Sequence, residues 1–433
     1  MQTLRAALLV ALLVSPTCLA DEKLFLEAWK RVQRTFYDKD MRGIDWPAVR
    51  DELLPDARAA ATPEQESAVI NRALARLGAS HTYHFIPSQR EYWELLDVFY
   101  PEGVPENLSR GRFEDGRVRY VGIGIVTRTI DGKVFALDVY DGAPAANAGI
   151  VVGDELINVN GEPWSDIDAF RGKADREVTV TIRRSKDGPT TDVLVVPKRL
   201  QPRSMFLRAM KQSAQVIEAG EKKIGYVRVR SYASESYQEQ LASLLAGPLA
   251  ECDALVLDLR GGWGGAQAQY MNLFGSLAPE VEFRMRNSGV WNSRSNAKTW
   301  DKPMAVLIDS DSRSGKEILA YAFKARNRAT LVGTTTRGAV LGGTASILSD
   351  GSLLLVAVSD VRVEGRSLEG HGVEPDVRVE RPIAYSAGDD PQLEHATELL
   401  ATQLNQAKTI EKNEHRLHQQ DETPISSLRR RKS

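Results

Sequence analysis

The sequence predicts an α/β protein in three parts: a helical N-terminal region, a β-rich insert, and a larger α/β core. Three observations predict it. Apolar residues recur at helical spacing as far as Leu77. Alternating and β-branched segments fill Tyr120 to Arg199. From Lys223 onward, short apolar runs alternate with helical stretches, the pattern of a sheet with crossover helices.

The composition leaves room for such an architecture. The chain has 433 residues, enough for two to three domains, and is 42% hydrophobic and 26% charged, as soluble globular proteins are. A net charge of −2, with no basic patch interleaved with aromatics, argues against a nucleic-acid partner.

Met1 to Ala20 reads as a secretory signal. Arg5 is the positive end, Ala6 to Val14 is apolar, and Cys18-Leu19-Ala20 sets small residues before a cut at Asp21. The expected location is therefore exported, periplasmic or extracellular. A membrane anchor is the weaker reading, because the apolar run falls short of the roughly 20 residues of a span. A lipoprotein reading through Cys18 competes, with Pro16-Thr17 as a poor lead-in. No second membrane segment is expected after cleavage. Cys252 is then the sole cysteine, so no disulfide is expected. Six histidines without a zinc-type spacing predict no metal, and no cofactor is expected.

Taken in order, Leu24, Phe25, Ala28, Trp29, Val32 and Phe36 share one helical face. Asp45-Trp46-Pro47 starts a second helix through Leu53. Thr62 as N-cap and Pro63 at the first position start a third, with Val69, Ile70, Ala73, Leu74 and Leu77 as its stripe and Gly78 as its end. Ser80-His81-Thr82 follows directly; from position alone, His81 reads as structural or exposed.

Strands are expected at Val121–Thr127, Val134–Val139, Glu155–Val159, Val178–Arg183 and Asp192–Val196, with a short helix at Ala143–Ile150. Arg203 to Ala219 reads as a linking helix. Then come strands at Ile224–Val229 and Ala254–Leu259, the latter entering Arg260-Gly261-Gly262-Trp263-Gly264-Gly265. Helices are expected at Ser234–Leu245 and Gln267–Leu277. That glycine cluster lacks the Gly-Lys-Ser/Thr ending of a nucleotide loop. It reads instead as backbone lying close to a reacting carbonyl or a substrate strand.

Ala305 to Ile308 reads as a buried strand, followed by a polar turn and a helix through Ile318, Leu319, Ala322 and Phe323. Ser314 sits at this strand-to-helix turn with Gly315 after it. Its hydroxyl can stand clear of the sheet, beside backbone N–H groups able to face an oxyanion. The competing reading makes Ser314 a helix N-cap with Glu317 completing a capping box. Further strands are expected at Ala329–Gly333 and Ser352–Val358. A helix begins near Ala387, and a polar tail runs from Asn413 to a basic end.

The insert, with Val121-Gly122-Ile123-Gly124-Ile125 and Gly153-Asp154-Glu155-Leu156, resembles a PDZ domain of the type found in exported bacterial proteases. The resemblance makes Gly122, Ile123 and Gly124 the peptide-binding loop, whose N–H groups would face a terminal carboxylate. A PDZ fold serving only as spacer or gate is the alternative.

Six segments in order resemble the carboxy-terminal processing and tricorn-like serine peptidases. They are the helical start with Asp45-Trp46, Leu77-Gly78-Ala79-Ser80-His81-Thr82, the PDZ-like insert, Asp258-Leu259-Arg260 with its glycines, Ser312-Arg313-Ser314-Gly315-Lys316-Glu317, and Leu368-Glu369-Gly370-His371-Gly372. The resemblance implies a crotonase-like α/β peptidase core and these divisions: signal peptide 1–20, helical region 21–104, PDZ domain 105–200, peptidase core 201–386, and C-terminal helix with polar tail 387–433.

The family has two catalytic solutions. A Ser–Lys dyad would need a lysine where Ala339 stands, and Arg337 cannot replace it because guanidinium stays protonated. Lys316, two residues from Ser314, points elsewhere on a helix. The tricorn-like solution matches Ser314, His81, Glu369 and Ser80. The resemblance makes Ser314 the nucleophile and His81 its base, with Glu369 the acceptor acting directly or through Ser80. Gly315 and the loop from Gly262 through Gly264 would form the oxyanion hole. His371 is a rival base; Asp258 and Arg260 read as braces.

Two residues depart from the family pattern. Gly262 stands where asparagine is usual, and Trp263 where a small residue is usual. The expected function is an exported serine endopeptidase acting on unfolded or flexible polypeptide substrates, with an activating partner protein as a further expected partner. An inactive peptidase fold that binds peptides through its PDZ domain, or serves as a scaffold, is the alternative.

Overall fold

The computed structural model of the protein describes residues 22–106, 111, 113, 115–275, 278–285, 288–291 and 300–421. The signal segment at 1–20 and the basic end at 428–433 lie outside these residues, as does Leu277.

Caps and stripes account for the first helices. α1 (Lys23–Thr35) buries Leu24, Phe25, Ala28, Trp29 and Val32. α2 (Trp46–Ala59) begins where the Asp45 carboxylate accepts the Ala48 N–H at 3.0 Å. It runs beyond the expected end at Leu53, because Leu53 and Ala57 on either side of Pro55 join the apolar cluster of its neighbours. α3 (Pro63–Ala75) is capped by Thr62, whose hydroxyl accepts the Gln65 N–H at 3.3 Å. Two elements that periodicity did not reveal follow: β1 (Tyr83–Phe85) and α4 (Arg90–Phe99).

The insert comprises β2 (Tyr120–Gly122), β3 (Ile125–Ile130), β4 (Lys133–Val139), α5 (Pro144–Asn147), β5 (Glu155–Val159), β6 (Glu162–Pro163), β7 (Val178–Arg183), β8 (Thr190–Val195) and β9 (Lys198–Leu200). Its sheet has the order β3-β4-β5-β7-β8, with β6 on β5, while β2 pairs with β9 where the chain enters and leaves. The single strand expected at Val121–Thr127 is thus two. Gly124, at φ +74°, turns the chain there, and its carbonyl accepts the Tyr140 N–H at 3.0 Å.

The core follows: α6 (Pro202–Ser213), β10 (Gln215–Ala219), β11 (Lys222–Arg228), α7 (Glu235–Ala246), β12 (Ala254–Asp258), a 3-10 segment at Ala268–Phe274, β13 (Val281–Met285), β14 (Ser288–Trp291), β15 (Met304–Ile308), α8 (Gly315–Ala325), β16 (Thr330–Gly333), β17 (Gly342–Ile347), β18 (Leu353–Val363), β19 (Arg366–Ser367), β20 (Val377–Arg378) and α9 (Pro391–Asp421). The helix expected over Arg203–Ala219 stops at Ser213. Gln215 to Ala219 instead pairs antiparallel with β11 across a turn at Gly220, which has φ +65°. The helix expected at Gln267 is the short 3-10 segment, and α9 runs on to Asp421, into the stretch expected as polar tail from Asn413.

One sheet runs β10-β11-β12-β15-β16-β20 and is parallel from β11 onward. Leu255, Leu257, Val306 and Ile308 face the largest apolar cluster, together with Phe323 of α8. Val256, Ala305 and Leu307 face Ala396 and Leu400 of α9. Cover on both faces explains why these strands are continuous apolar runs rather than alternating ones. In a second sheet β18 pairs with β1, β13, β17 and β19, which ties the N-terminal region to the far end of the core. Among the described residues no helix is long and apolar enough to cross a membrane.

Candidate active site

β12 and β15 are parallel neighbours, so the turns leaving their carboxyl ends lie side by side. One is the glycine loop after Arg260; the other carries Ser314. A Cβ on Gly264 would stand 2.5 Å from Ser314 Cβ and 2.8 Å from the Gly315 nitrogen. One on Gly315 would stand 2.3 Å from the Ala266 nitrogen. Glycine at both positions is what lets the two turns touch.

Ser314 has φ 58° and ψ −128°, a conformation that side chains rarely adopt. Its N–H is held by the Ala339 carbonyl at 2.9 Å and by Glu317 Oε2 at 3.0 Å. Glu317 does more than close a capping box. It is buried and also accepts the Ala339 N–H at 2.8 Å, the Gly338 N–H at 2.6 Å and the Thr336 hydroxyl at 2.6 Å. Burial pushes its carboxyl pKa up, while these hydrogen bonds oppose the rise. A carboxylate inside the turn therefore holds the strained backbone that presents the serine between strand and helix.

Ser80 and His81 follow the third helix. His81 also has a positive φ, 55°, and a Cβ on Gly343 of β17 would come within 3.1 Å of its Cδ2. Ser80 Oγ lies 2.9 Å from His81 Nδ1 and donates to Glu369 Oε2 at 2.8 Å. Glu369 also accepts the Ser80 N–H at 2.8 Å and the Val340 N–H at 2.9 Å. An ionised carboxylate only accepts, so the Ser80 proton points to Glu369 and Ser80 Oγ accepts from Nδ1–H. That order assigns the proton to Nδ1 and leaves Nε2 with its lone pair. Burial lowers the His81 pKa to about 4, with the Arg313 and Arg337 charges adding to the effect.

Ser80, His81, Gly264, Ser314, Gly315 and Ala339 line one cavity of about 730 Å³ together with apolar side chains such as Leu95, Phe99 and Phe283, while Glu369 stands behind Ser80 and does not line it. Ser312 is buried and its hydroxyl donates to the Leu259 carbonyl at 3.0 Å; Ser310 is exposed. Neither lines the cavity. His371 is exposed, sits with Nδ1 2.9 Å from the Glu369 carbonyl, and does not line it either. Lys316 points away, its ammonium donating to the Gly261 carbonyl at 2.7 Å. Asp258 and Arg260 form a buried pair at 2.7 Å, extended to Asp390 before α9.

Gly262 stands apart from the other expected oxyanion groups. It does not line the Ser314 cavity; at φ +65°, a Cβ there would lie 2.0 Å from the Arg230 carbonyl oxygen. Trp263 donates from its indole to Glu94 at 2.7 Å and carries the Arg313 guanidinium over its ring at 4.8 Å. Trp263 and Arg313 line both the first cavity and a second one of about 570 Å³. Neither large cavity is lined by Gly122, Ile123 or Gly124. Ile123 packs inside the insert's own core, and its carbonyl accepts the Ala145 N–H. Val126, Thr127 and Arg128 of the edge strand β3 line the second cavity instead. Arg128 pairs there with Asp311, three residues before Ser314.

Sequence reading missed the fourfold use of Glu317, the Glu94–Trp263 contact, and the two arginines beside His81. An acidic residue three positions after the serine was a visible signal, but a capping box explains the same spacing.

The chain is similar to known proteins over most of its length. Residues 223–379 match the model of Peptidase family S41, residues 21–75 that of the tricorn protease C1 domain, and residues 135–184 that of a PDZ domain. The chain is 27% identical over 388 residues to a chloroplastic C-terminal processing peptidase of Tetradesmus obliquus, covering 84% of this chain and 78% of that one. It is 23% identical over 403 residues to a carboxyl-terminal-processing protease of Synechocystis sp., covering 89% of each. Among solved structures, the photosystem II D1 C-terminal processing protease shares the fold with a TM-score of 0.51 and 22% identity, over 86% of this chain and 98% of that one.

Proposed function

We propose that this chain, a serine-type peptidase of the carboxy-terminal-processing and tricorn-like family with a PDZ domain, works through Ser314, His81 and Glu369, with Ser80 as the relay. The observation that carries the reading is the unbroken chain Glu369–Ser80–His81, ending at the cavity that Ser314 lines. His81 Nε2 takes the Ser314 proton as Oγ attacks the scissile carbonyl carbon, and the imidazolium later gives that proton to the leaving amine. Glu369 stabilises the imidazolium through Ser80. Water then hydrolyses the acyl-enzyme with His81 again as base. Gly315 and Gly264 N–H groups carry no hydrogen bond among the described residues, which suits them to the oxyanion.

Substrate is a flexible polypeptide exported to the same compartment as the enzyme. PDZ binding of its C-terminus is supported by β3 lying at a sheet edge and lining the second cavity. The two cavities share Tyr83, Phe85, Trp263, Arg313 and Arg337, so a strand added to β3 leads toward Ser314. Export is supported by the signal-like start, Met1 to Ala20.

Fluorophosphonate labelling followed by peptide mapping tests the reading, together with casein hydrolysis by wild type and Ser314→Ala. Label on Ser314 and an inactive variant are expected. Equal hydrolysis by both proteins would falsify it.

A further inference from the structure

We propose that Lys316 is a positioning residue of the oxyanion-binding loop, clamping Gly261 together with Asp309 and so fixing the glycine loop against Ser314. The inference rests on the Ser314 reading above.

Both polar groups of Gly261 are engaged by the segment that carries Ser314. Its N–H donates to Asp309 Oδ1 at 3.0 Å, and its carbonyl accepts from Lys316 Nζ at 2.7 Å. Asp309 precedes the serine turn and Lys316 follows it, so one short stretch grips the loop from both sides. Gly261 is also the loop's first glycine; three residues on, Gly264 lies against Ser314. The loop's position relative to the serine is therefore set at Gly261 before its N–H groups reach the cavity. A displacement there moves the Gly264 N–H relative to the oxyanion.

The lysine is fully buried, which is unfavourable for an ammonium group without a task. The charged groups facing it are Arg228 at the end of β11, Arg230 just beyond, Asp258 at the end of β12, and Asp309 after β15. Burial, then Arg228, lowers its pKa to about 7, with the two aspartates opposing. Below that pH the bond to Gly261 is charge-assisted; above it a neutral amine donates more weakly. The clamp thus loosens as pH rises, in a range where His81 is already neutral.

The test follows fluorophosphonate labelling at Ser314 in wild type and Lys316→Met, from about pH 5, above the range in which His81 takes up its proton, to about pH 10, so that the lysine titrates within the span. Wild-type labelling should fall as pH rises through about 7. The variant should label roughly tenfold to a hundredfold more slowly at low pH, the scale of a small misplacement, and show no such fall. Temperature dependence of the wild-type alkaline limb needs no variant. Amine ionisation is strongly endothermic, so the midpoint should move to lower pH on warming. A limb that stays put overturns the proposal, as does the same pH profile in both proteins. Absence of label on wild type at every pH overturns the Ser314 reading itself, and this inference with it.

Discussion

Glu369 holds Ser80 by both of its donors, accepting the backbone N–H on one carboxylate oxygen and the hydroxyl on the other, each at 2.8 Å. The two residues lie in loops at opposite ends of the chain. No side-chain contact between Glu369 and His81 occurs among the hydrogen bonds of the described residues, so Ser80 is the link between them.

Ser80→Ala removes that link while leaving the backbone contact to Glu369. We expect kcat to fall roughly tenfold to a hundredfold with KM little changed, within the range of general-base support. Ser80→Thr should restore part of the loss. Steady-state kinetics on a peptide substrate decide the point; an unaffected kcat in Ser80→Ala means that Glu369 acts without the relay.

The pH dependence of kcat/KM reports the free enzyme's base. In the proposed mechanism His81 acts as a neutral base, and burial lowers its pKa to about 4. Activity should therefore hold as pH falls through the ordinary histidine range near 6.5 and decline only toward about 4. An acid limb near 6.5 in the free enzyme rules out the desolvated, arginine-flanked setting of His81.

Stability should respond to a second histidine. His84 is buried between the hydroxyls of Ser67 and Ser352, at 2.9 and 2.7 Å. Burial lowers its pKa from 6.5 to about 4, against a smaller opposing effect of Asp350. The folded state thus binds fewer protons than the unfolded chain between these values. The stabilisation is fully present above pH 6.5 and is lost as pH falls through about 4. It reaches up to about 3 kcal/mol. Urea denaturation at a series of pH values should show this slope reduced in His84→Gln relative to wild type; equal slopes count against it.

Gly262→Asn inserts the residue usual in the family. Its Cβ would meet the Arg230 carbonyl oxygen at 2.0 Å, in a backbone of φ +65°. We expect destabilisation by about 1 to 3 kcal/mol, with the thermal midpoint lowered accordingly. A gain in stability would mean that the loop takes another path.

Much of the fold was legible in local chemistry. The Asp45 and Thr62 caps, the apolar stripe from Leu24 to Phe36, and the unbroken runs Ala254–Leu259 and Ala305–Ile308 each encode an element through capping or periodicity. Short or mixed segments were not legible. Gln215 to Ala219 became a strand only because Lys222 to Tyr226 lies beside it. β1 is three residues long and exists by pairing with β18, far along the chain.

The same division holds at the candidate site. Local sequence sufficed for a serine with a following glycine at a strand-to-helix turn, and family resemblance added His81, Ser80 and Glu369. Only the tertiary structure decided what each does to the others. It brings Glu369 onto Ser80, makes Glu317 a four-donor anchor rather than a simple cap, and separates Gly262 from Gly264 by aiming it at Arg230. It also turns Lys316 from the serine to Gly261. Propensity and periodicity act over a few residues along the chain. Hydrogen-bond order, burial and the shift of a pKa depend on neighbours that folding brings from hundreds of residues away.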